Sequence, residues 1–271
     1  LNNMNKKIGF IGCGKMASAI IGGVIASNYL PKENIMAAEI NEEKASEKSK
    51  ELGIKVITDN NELVNSVDVV FVATTPNFVE GVLNGIKSSV TKDKLVVSIA
   101  AGVTTRFIES ILGSDKRVVR VMPNTPALVL EGMSGVAGGT IATEEDVQAV
   151  VELLSNIGKA IEVTEEQLDI VTAISGSGPA FYYKVINDIA RAGEKMGMDY
   201  EKALTLSIQT AIGSAKMLLS SDKSAEDLIA SVATKGGCTR VGVDYMEEVD
   251  TADMFYNLIE KTAEKAHALG K

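Results

Sequence analysis

The chain has 271 residues, with 27 Lys and Arg against 36 Asp and Glu, a formal net charge of −9, and a single histidine, His267. One histidine near the end of the chain excludes a Ser-His-Asp triad, a Cys-His dyad and a multi-histidine zinc site at the centre of the fold. The acidic balance argues against a nucleic-acid partner, which binds a basic face. We therefore expect a bound cofactor to carry the chemistry, and His267 to be a solvated residue near a helix C-terminus.

The apolar segments of the chain are short. Hydrophobic residues make up 45% of the sequence and charged residues 23%, as in globular proteins with a core. The longest apolar stretches, 19–26 and 69–73, fall well below the roughly 20 residues that span a bilayer. The polar segment 1–7 leads into a glycine-interrupted apolar run, which predicts a strand rather than a signal peptide. We expect a cytoplasmic protein with no membrane partner.

The first part of the chain alternates short β-rich runs with helical patterns. Strands are predicted at 7–11, 34–38, 67–73, 95–99, 117–121, 134–138 and 160–163. Helices are predicted at 16–27, 42–52, 78–86, 105–112 and 144–156. The Val and Ile runs do not alternate with polar residues, which indicates strands buried on both faces of a mostly parallel sheet. The pattern predicts an α/β fold, a Rossmann-type doubly wound domain over 1–163.

The second part of the chain, 164–271, lacks strand candidates of useful length and is rich in Ala, Leu, Lys, Glu and Met. Helices are predicted at 180–196, 200–220, 225–232 and 252–269; the first begins behind Pro179 and ends at Gly197. The helix at 200–220 has a wide apolar face, so we expect it to be buried on more than one side. An all-α domain is therefore predicted, with the boundary near 163.

A glycine motif follows the first predicted strand and opens the first helix. Gly12, Gly14 and Ala17 form a G-x-G-x-x-A pattern. Gly12 permits a tight turn, Gly14 lets a pyrophosphate approach the backbone, and Ala17 allows close packing of helix on strand. The helix N-terminus supplies unpaired N–H groups and a partial positive charge. In this context the motif predicts a dinucleotide site.

Glu39 ends the second predicted strand, where an acidic residue receives the hydroxyls of a ribose. A carboxylate at that point repels a 2′-phosphate, and no arginine is adjacent to it in the sequence, although Lys44 lies on the next helix. Glu39 therefore favours NADH over NADPH.

Three further strand ends carry polar residues or glycine, at 73–76, 98–102 and 122–126. Ligands of doubly wound sheets bind at the carboxyl ends of strands, so these segments are predicted to line one crevice. The second part of the chain adds two glycine-rich segments, 175–179 and 234–239. Two adjacent glycines flanked by Thr and Cys suit a nest of backbone N–H groups that binds a carboxylate or another small anion.

These motifs resemble the pyrroline-5-carboxylate reductase family. The matching segments span most of the chain in the family's order. They are Ile-Gly-Phe-Ile-Gly-Cys-Gly-Lys-Met-Ala at 8–17, Arg-Val-Met-Pro-Asn-Thr-Pro-Ala at 120–127, Ala-Ile-Ser-Gly-Ser-Gly-Pro-Ala at 173–180, Gly-Ser-Ala-Lys-Met-Leu at 213–218 and Gly-Gly-Cys-Thr at 236–239.

The resemblance implies hydride transfer from NADPH or NADH to the imine carbon of 1-pyrroline-5-carboxylate, which gives L-proline. It implies that Gly236, Gly237, Cys238 and Thr239 bind the substrate carboxylate, with the Thr239 hydroxyl near the ring nitrogen as the catalytic contact. By similarity, the cofactor contacts are Ile11, Gly12, Cys13, Gly14, Lys15, Met16, Glu39, Asn41, Asn60, Ala73, Thr74, Thr75, Pro76, Ile99, Ala100 and Ala101.

The resemblance also implies a homodimer made by interleaved helices of a substrate-binding and dimerisation domain, with a decamer as a larger assembly of dimers. The chemistry agrees with the scarcity of histidine. A cyclic imine carries its own proton at neutral pH, so hydride addition depends on position more than on a strong general acid.

Several positions depart from the family pattern. Thr234-Lys235 replaces a common Ser-Pro, Ser224-Ala225 replaces a common His-Pro turn, and Thr75 replaces a common Lys before Pro76. Asn187 lies where the family commonly has an acidic residue, and Lys184 where it commonly has an apolar one. These departures concern the choice of substrate more than the reaction class.

Other functions remain open from sequence alone. A β-hydroxyacid dehydrogenase shares the architecture but places its Lys four residues after a Gly-x-Gly helix start, whereas Lys184 lies six residues after Gly178. A second alternative is a reductase of another cyclic imine, which would differ from a pyrroline-5-carboxylate reductase only in the size of its substrate pocket. A third alternative, which is not an enzyme, is a paralogue that binds nucleotide as a regulatory module without turnover.

Overall fold

The computed structural model describes residues 6–270 and contains one eight-stranded sheet. Most of the predicted lead segment 1–7 lies outside the described residues. The strands are β1 (Ile8–Ile11), β2 (Ile35–Ala38), β3 (Lys55–Ile57), β4 (Val69–Val72), β5 (Leu95–Ser98), β6 (Arg117–Met122), β7 (Gly132–Gly138) and β8 (Gly158–Glu162). Their order is β3-β2-β1-β4-β5-β6-β7-β8, and the neighbouring pairs are parallel except β6 and β7. The strand order changes direction beside β1, which lies between β2 and β4, and ligands of such sheets bind at this switch point.

Helices connect the strands and form the second part of the chain. They are α1 (Lys15–Ala26), α2 (Glu42–Leu52), α3 (Asn60–Ser66), α4 (Pro76–Ile86), α5 (Thr105–Leu112), α6 (Glu144–Leu154), α7 (Leu168–Val171), α8 (Gly178–Lys195), α9 (Tyr200–Ser220), α10 (Ala225–Val232), α11 (Cys238–Glu248) and α12 (Thr251–Leu269). The predicted fold class, a mostly parallel doubly wound sheet followed by helices, is confirmed.

Both faces of the sheet are covered by apolar cores. Consecutive strand residues alternate between them: Phe10 belongs to the core that contains α1 and α6, and Ile11 to the core that contains α3, α4 and α5. All four residues of β1 and of β4 are buried. The Phe10 and Phe71 rings stack with centroids 4.6 Å apart. Burial on both faces explains why these strands read as uninterrupted apolar runs.

Four elements were not predicted: β3, α3, α11 and the four-residue helix α7, in which only Leu168 is buried. β3 has three residues, none of them buried, so it has no apolar run to reveal it. α3 buries only Leu63 and Val64 among polar neighbours. α11 starts directly after the glycine pair and contains no buried residue. Each element lacks the buried periodic face from which sequence patterns are recognised.

Contacts divide the chain into two compact units. One, the sheet unit, comprises the residues up to Ser177 together with those from Thr262 onward; the other, the helical unit, is Gly178–Lys261. Within the sheet unit, α7 packs on β7, and a π-helical turn at Thr172–Gly176 follows it. The domain bounds 1–163 and 164–271 remain a prediction from the composition.

The helical unit is built on the pair α8 and α9. The Ser207 hydroxyl donates a hydrogen bond to the Ile186 carbonyl at 2.9 Å, and Gly197, with φ +99°, makes the turn between the two helices. Only Ala203 and Ser207 of α9 are buried. The expected burial of α9 on more than one side is therefore not met within one chain, and large side chains such as Leu219, which is 70% exposed, remain uncovered. Among residues 6–270, no helix has the length and apolarity required to cross a membrane.

Candidate functional site

The glycine loop between β1 and α1 lies against the end of β4. Gly12 has φ +95°, and a Cβ built on it would lie 2.9 Å from the Ala73 carbonyl oxygen. Its backbone N–H donates to the Ala38 carbonyl at 2.9 Å, and the Ala73 N–H donates to the Ile11 carbonyl at 2.9 Å. Both the left-handed backbone and the close approach require glycine at this position.

The N-terminus of α1 is open. Gly14 is its N-cap residue, no side chain caps the helix, and a Cβ at Gly14 would meet no atom within 4 Å. The N–H groups of a first helical turn have no partner within the helix and attract anions. Lys15 is exposed and Met16 half-buried at this end, whereas Ala17 is 1% exposed and packs on the sheet. The arrangement suits a phosphate group.

Glu39, directly after β2, reaches the glycine loop. Its Oε1 accepts a hydrogen bond from the Cys13 N–H at 2.8 Å, and its Oε2 accepts one from the Ile40 N–H at 3.2 Å. The strand pairing holds Glu39 in place, because its own N–H donates to the Ile57 carbonyl at 2.9 Å. A half-buried carboxylate thus lies beside the loop that the sequence assigns to a pyrophosphate.

Asn41 and Asn60 have different surroundings. The Asn41 side chain caps α2, accepting from the Lys44 N–H at 2.9 Å. Asn60 is the first residue of α3, behind the capping residue Asp59. It lines a cleft of about 610 Å³, whose other lining residues are Thr58, Asp59, Asn61, Phe78, Gly81, Val82 and Gly85. A cleft with one polar and one apolar wall suits a nucleotide base.

The ends of β4 and β5 complete this edge of the sheet. The Thr74 hydroxyl is buried and has no hydrogen-bond partner in the described residues. Thr75 is the N-cap residue of α4, with Pro76 as its first residue. The Ile99 N–H donates to the Val72 carbonyl at 3.2 Å. The next residue, Ala100, is buried, and Ala101 is exposed beside it.

The sheet register brings these segments together. Ile11, Ala38, Val72 and Ser98 are the last residues of four adjacent strands, and they pair in register. We call the residues that follow them, 12–16, 39, 73–76 and 99–101, the carboxyl edge. An uncapped helix N-terminus, open space at Gly14 and an unpaired buried hydroxyl at Thr74 fit a dinucleotide.

In the predicted third strand end, 122–126, the Asn124 side chain forms hydrogen bonds with other parts of the protein. Asn124 is 9% exposed; its Nδ2 donates to the Ser175 carbonyl at 3.0 Å, and its Oδ1 accepts from the Met133 N–H at 2.8 Å. The side chain therefore joins the end of β6 to β7 and to the π-helical turn Thr172–Gly176, which includes the first two residues of the predicted glycine-rich segment 175–179.

The predicted anion loop lies in the helical unit. Gly236 has φ +79°, and the Gly237 N–H donates to the Thr234 carbonyl at 3.0 Å. Gly237 is the N-cap residue of α11 and no side chain caps this helix, so Cys238 and Thr239 form its first turn. The loop combines a tight turn with the open N-terminus of a helix of 11 residues, which suits a small anion.

The two cysteines are free and differ in environment. Cys13 is 1% exposed, and burial, reinforced by the negative charge of Glu39, raises the pKa of its thiol to about 12. Cys13 is therefore protonated at neutral pH and acts as a small apolar group. Cys238 is exposed at the start of α11.

His267 lies near the end of α12 and is 84% exposed, as predicted. Its Nδ1 lies 2.9 Å from the Asp169 Oδ2. Gly270, just beyond the helix, contacts the turn after β5, where a Cβ on Gly102 would lie 3.5 Å from the Gly270 Cα. Within the described part of the chain, no group of three or more His, Cys, Asp and Glu is arranged to hold a metal ion.

Sequence reasoning missed a buried ion pair next to the carboxyl edge. The Arg120 Nη1 donates to the Glu165 Oε1 at 2.8 Å, and the Arg120 side chain is only 4% exposed. The partners are 45 residues apart in the chain, and although Arg120 begins the motif at 120–127, no sequence pattern links that motif to Glu165.

Comparison with known proteins gives two family matches. The family described as pyrroline-5-carboxylate reductase dimerisation matches residues 165–269. The family described as NADP oxidoreductase, coenzyme F420-dependent, matches residues 7–102, which include the carboxyl edge.

Curated relatives and solved structures cover nearly the whole chain. A pyrroline-5-carboxylate reductase of Methanosarcina acetivorans is 42% identical over 98% of this chain and 99% of its own length. A structure of a pyrroline-5-carboxylate reductase from Coxiella burnetii superposes with a TM-score of 0.94 at 31% identity, covering 98% of this chain and 99% of that chain. A pyrroline carboxylate reductase from Plasmodium falciparum, solved with NADP bound, has a TM-score of 0.84 at 32% identity and covers 99% of both chains.

Proposed function

Because the chain belongs to the pyrroline-5-carboxylate reductase family, we propose that it reduces 1-pyrroline-5-carboxylate to L-proline, with hydride transfer from NAD(P)H to the imine carbon. The observation that carries this function is the 42% identity to the Methanosarcina acetivorans reductase over nearly the full length of both chains. Because the relatives at this level of identity are named pyrroline-5-carboxylate reductase, we favour this function over that of a β-hydroxyacid dehydrogenase and over a paralogue that binds nucleotide without turnover.

The carboxyl edge of the sheet is the proposed cofactor site. The N–H groups at 14–16 hold the pyrophosphate, Glu39 accepts hydrogen bonds from ribose hydroxyls, and the Thr74 hydroxyl gains the partner that it lacks. When bound, the reduced nicotinamide supplies the hydride. Asn41 and Asn60 line the adenosine end, and 99–101 flank the nicotinamide end.

NADH is the proposed cofactor, in preference to NADPH. The Glu39 carboxylate, held at 2.8 Å from the Cys13 N, places a negative charge where a 2′-phosphate would otherwise lie. Like charges at short range in a half-buried site repel strongly. Lys44 on α2 offsets this only in part, because its side chain is exposed to solvent and its charge is screened.

The loop 236–239 is the proposed substrate site. Its open N–H groups bind the carboxylate of the imino acid, and the Thr239 hydroxyl lies at the ring nitrogen, where it orients the imine and stabilises the amine that forms. The protonated imine brings its own proton, so the chain needs no histidine as a general acid.

A homodimer is the proposed assembly, because the matched family is a dimerisation domain and the apolar face of α9 is uncovered in one chain. Burying that face against a second copy gains about 25 cal/mol per Å² of apolar surface. A decamer of five such dimers and a cytoplasmic location belong to the same proposal.

A direct assay tests the function. Purified protein is mixed with 1-pyrroline-5-carboxylate and NADH, then NADPH, and the loss of nicotinamide absorbance is followed together with the proline formed. We expect turnover with both cofactors and a higher kcat/KM with NADH. A six-membered cyclic imino acid and a β-hydroxyacid serve as controls for the alternatives. If neither cofactor is consumed with 1-pyrroline-5-carboxylate, the proposal is wrong.

A further inference from the structure

The ion pair Arg120–Glu165, in which the arginine is buried and the carboxylate half-buried, lies beside the end of β5. Arg120 pairs in register with Ser98, the last residue of β5, so its backbone is directly beside the strand that leads into the carboxyl edge. Its side chain is 4% exposed, and the carboxylate of Glu165 is its ion-pair partner at 2.8 Å. A buried arginine requires such a partner, because an unpaired charge in the interior is strongly unfavourable.

The same carboxylate oxygen reaches the start of α5. The Glu165 Oε1 also accepts from the Thr105 N–H at 3.3 Å, and Thr105 is the first residue of that helix. The Thr104 side chain caps α5 through the Phe107 N–H at 3.1 Å. Glu165 is thus a second cap, contributed by a distant segment, and its negative charge is favourable at a helix N-terminus.

The segment between β5 and α5 is short and carries part of the carboxyl edge. It runs from 99 to 104, contains 99–101, and bends at Gly102, with φ +73°. One end is fixed by the sheet, through the Ile99 N–H. The other end is fixed where α5 begins, by Glu165. The second oxygen of this carboxylate, Oε2, is buried and has no partner in the described residues. Both hydrogen bonds of the carboxylate, from Arg120 and from Thr105, are therefore accepted by Oε1.

We propose that Glu165 is a positioning residue for the dinucleotide: aligned by Arg120, it anchors the start of α5 and so holds the 99–101 turn in its binding position. The inference rests on the proposed function, in which this turn flanks the nicotinamide end of the cofactor. Glu165 touches neither cofactor nor substrate and acts through the turn.

The test compares NADH binding by purified full-length variants, measured by the change in NADH fluorescence on binding. Glu165→Ala removes both hydrogen bonds. The double variant Arg120→Met/Glu165→Met replaces the buried arginine together with its half-buried partner by apolar side chains, a kind of exchange that commonly preserves or raises stability. Glu166→Ala, the exposed neighbouring carboxylate, is the matched control.

We expect the Kd for NADH to rise about three- to tenfold in Glu165→Ala and in the double variant, with a matching rise in KM, and to stay unchanged in Glu166→Ala. A purely structural pair would lower the melting temperature of Glu165→Ala and leave NADH binding normal in the stable double variant; normal binding there overturns the inference. The double variant decides the matter if Glu165→Ala fails to fold. Failure of the wild-type protein to bind NADH or NADPH would instead overturn the proposed function itself.

Discussion

The Glu39 carboxylate accepts a hydrogen bond from the backbone N–H of Cys13 at 2.8 Å, and so joins the end of β2 to the glycine loop that follows β1. The contact puts the residue proposed to select between ribose hydroxyls and a 2′-phosphate against the loop proposed to bind the pyrophosphate. Burial is the main cause of the raised pKa of the Cys13 thiol, and the negative charge of Glu39 raises this pKa further.

Glu39→Ser should move cofactor preference towards NADPH. Removing the carboxylate removes its repulsion of a 2′-phosphate, so we expect the NADPH/NADH ratio of kcat/KM to rise about tenfold or more. Glu43→Ser, an exposed carboxylate on α2, is the control and should leave the ratio unchanged. An unchanged ratio in Glu39→Ser would remove Glu39 from cofactor selection.

Gly14→Ala should weaken dinucleotide binding without unfolding the protein. A Cβ at Gly14 meets no protein atom within 4 Å and the backbone, at φ −65°, accepts alanine, so stability should change by no more than about 1 kcal/mol. The methyl group would occupy the space assigned to the pyrophosphate, and we expect KM for NADH to rise roughly tenfold. Gly22→Ala, at an exposed position of α1 that is also open, should leave KM unchanged. Equal KM values for the two variants would contradict the assignment of Gly14.

Thr239→Val should slow the reaction without preventing folding. Loss of one hydrogen bond at the ring nitrogen is worth about 1–3 kcal/mol, or roughly 5- to 150-fold in kcat/KM. Thr239→Ser keeps the hydroxyl and should recover most of the rate. If steady-state kinetics of the valine variant match those of wild type, Thr239 has only a structural role in the first turn of α11.

The two thiols should differ in reactivity. In Cys238→Ser protein the remaining thiol is Cys13, which is buried and has a pKa raised to about 12, so an aromatic disulfide reagent at pH 8 should not label it until the protein is unfolded. Cys13→Ser protein should be labelled in the native state, because Cys238 is exposed. Rapid labelling of native Cys238→Ser protein would contradict the described packing around Cys13.

His267→Ala should retain kcat within about twofold. The imidazole is 84% exposed and pairs with Asp169, an interaction worth about 0–1 kcal/mol. Lys265→Ala, also exposed on α12, is the matched control. A large loss of kcat specific to His267→Ala, with an unchanged melting temperature, would mean that the chemistry uses a histidine after all.

The buried strands and the glycine loop could be predicted from the sequence, because apolar runs and glycine spacing mark them directly. Strands such as β1 and β4 are buried on both faces, and their apolar runs revealed them. Gly12 and Gly14 were identified from the backbone geometry that a glycine loop needs, and the structure gives Gly12 a left-handed φ of +95°.

Long-range and weakly buried features could not be predicted. β3 has no buried residue, and the Arg120–Glu165 pair joins residues 45 positions apart. The wide apolar face of α9 is visible in the sequence, but within one chain only Ala203 and Ser207 of this helix are buried, and covering the rest by a second copy is part of the proposed dimer.

The fate of the transferred hydrogen tests whether the protein passes a hydride from NADH to the imine carbon of 1-pyrroline-5-carboxylate. NADH dideuterated at C4 of the nicotinamide is mixed with 1-pyrroline-5-carboxylate and the protein, and the product is analysed by mass spectrometry and proton NMR. We expect L-proline that carries one deuterium at C5, formed in equal amount to the NADH consumed. Consumption of NADH without deuterated proline, or no consumption at all, would contradict this expectation.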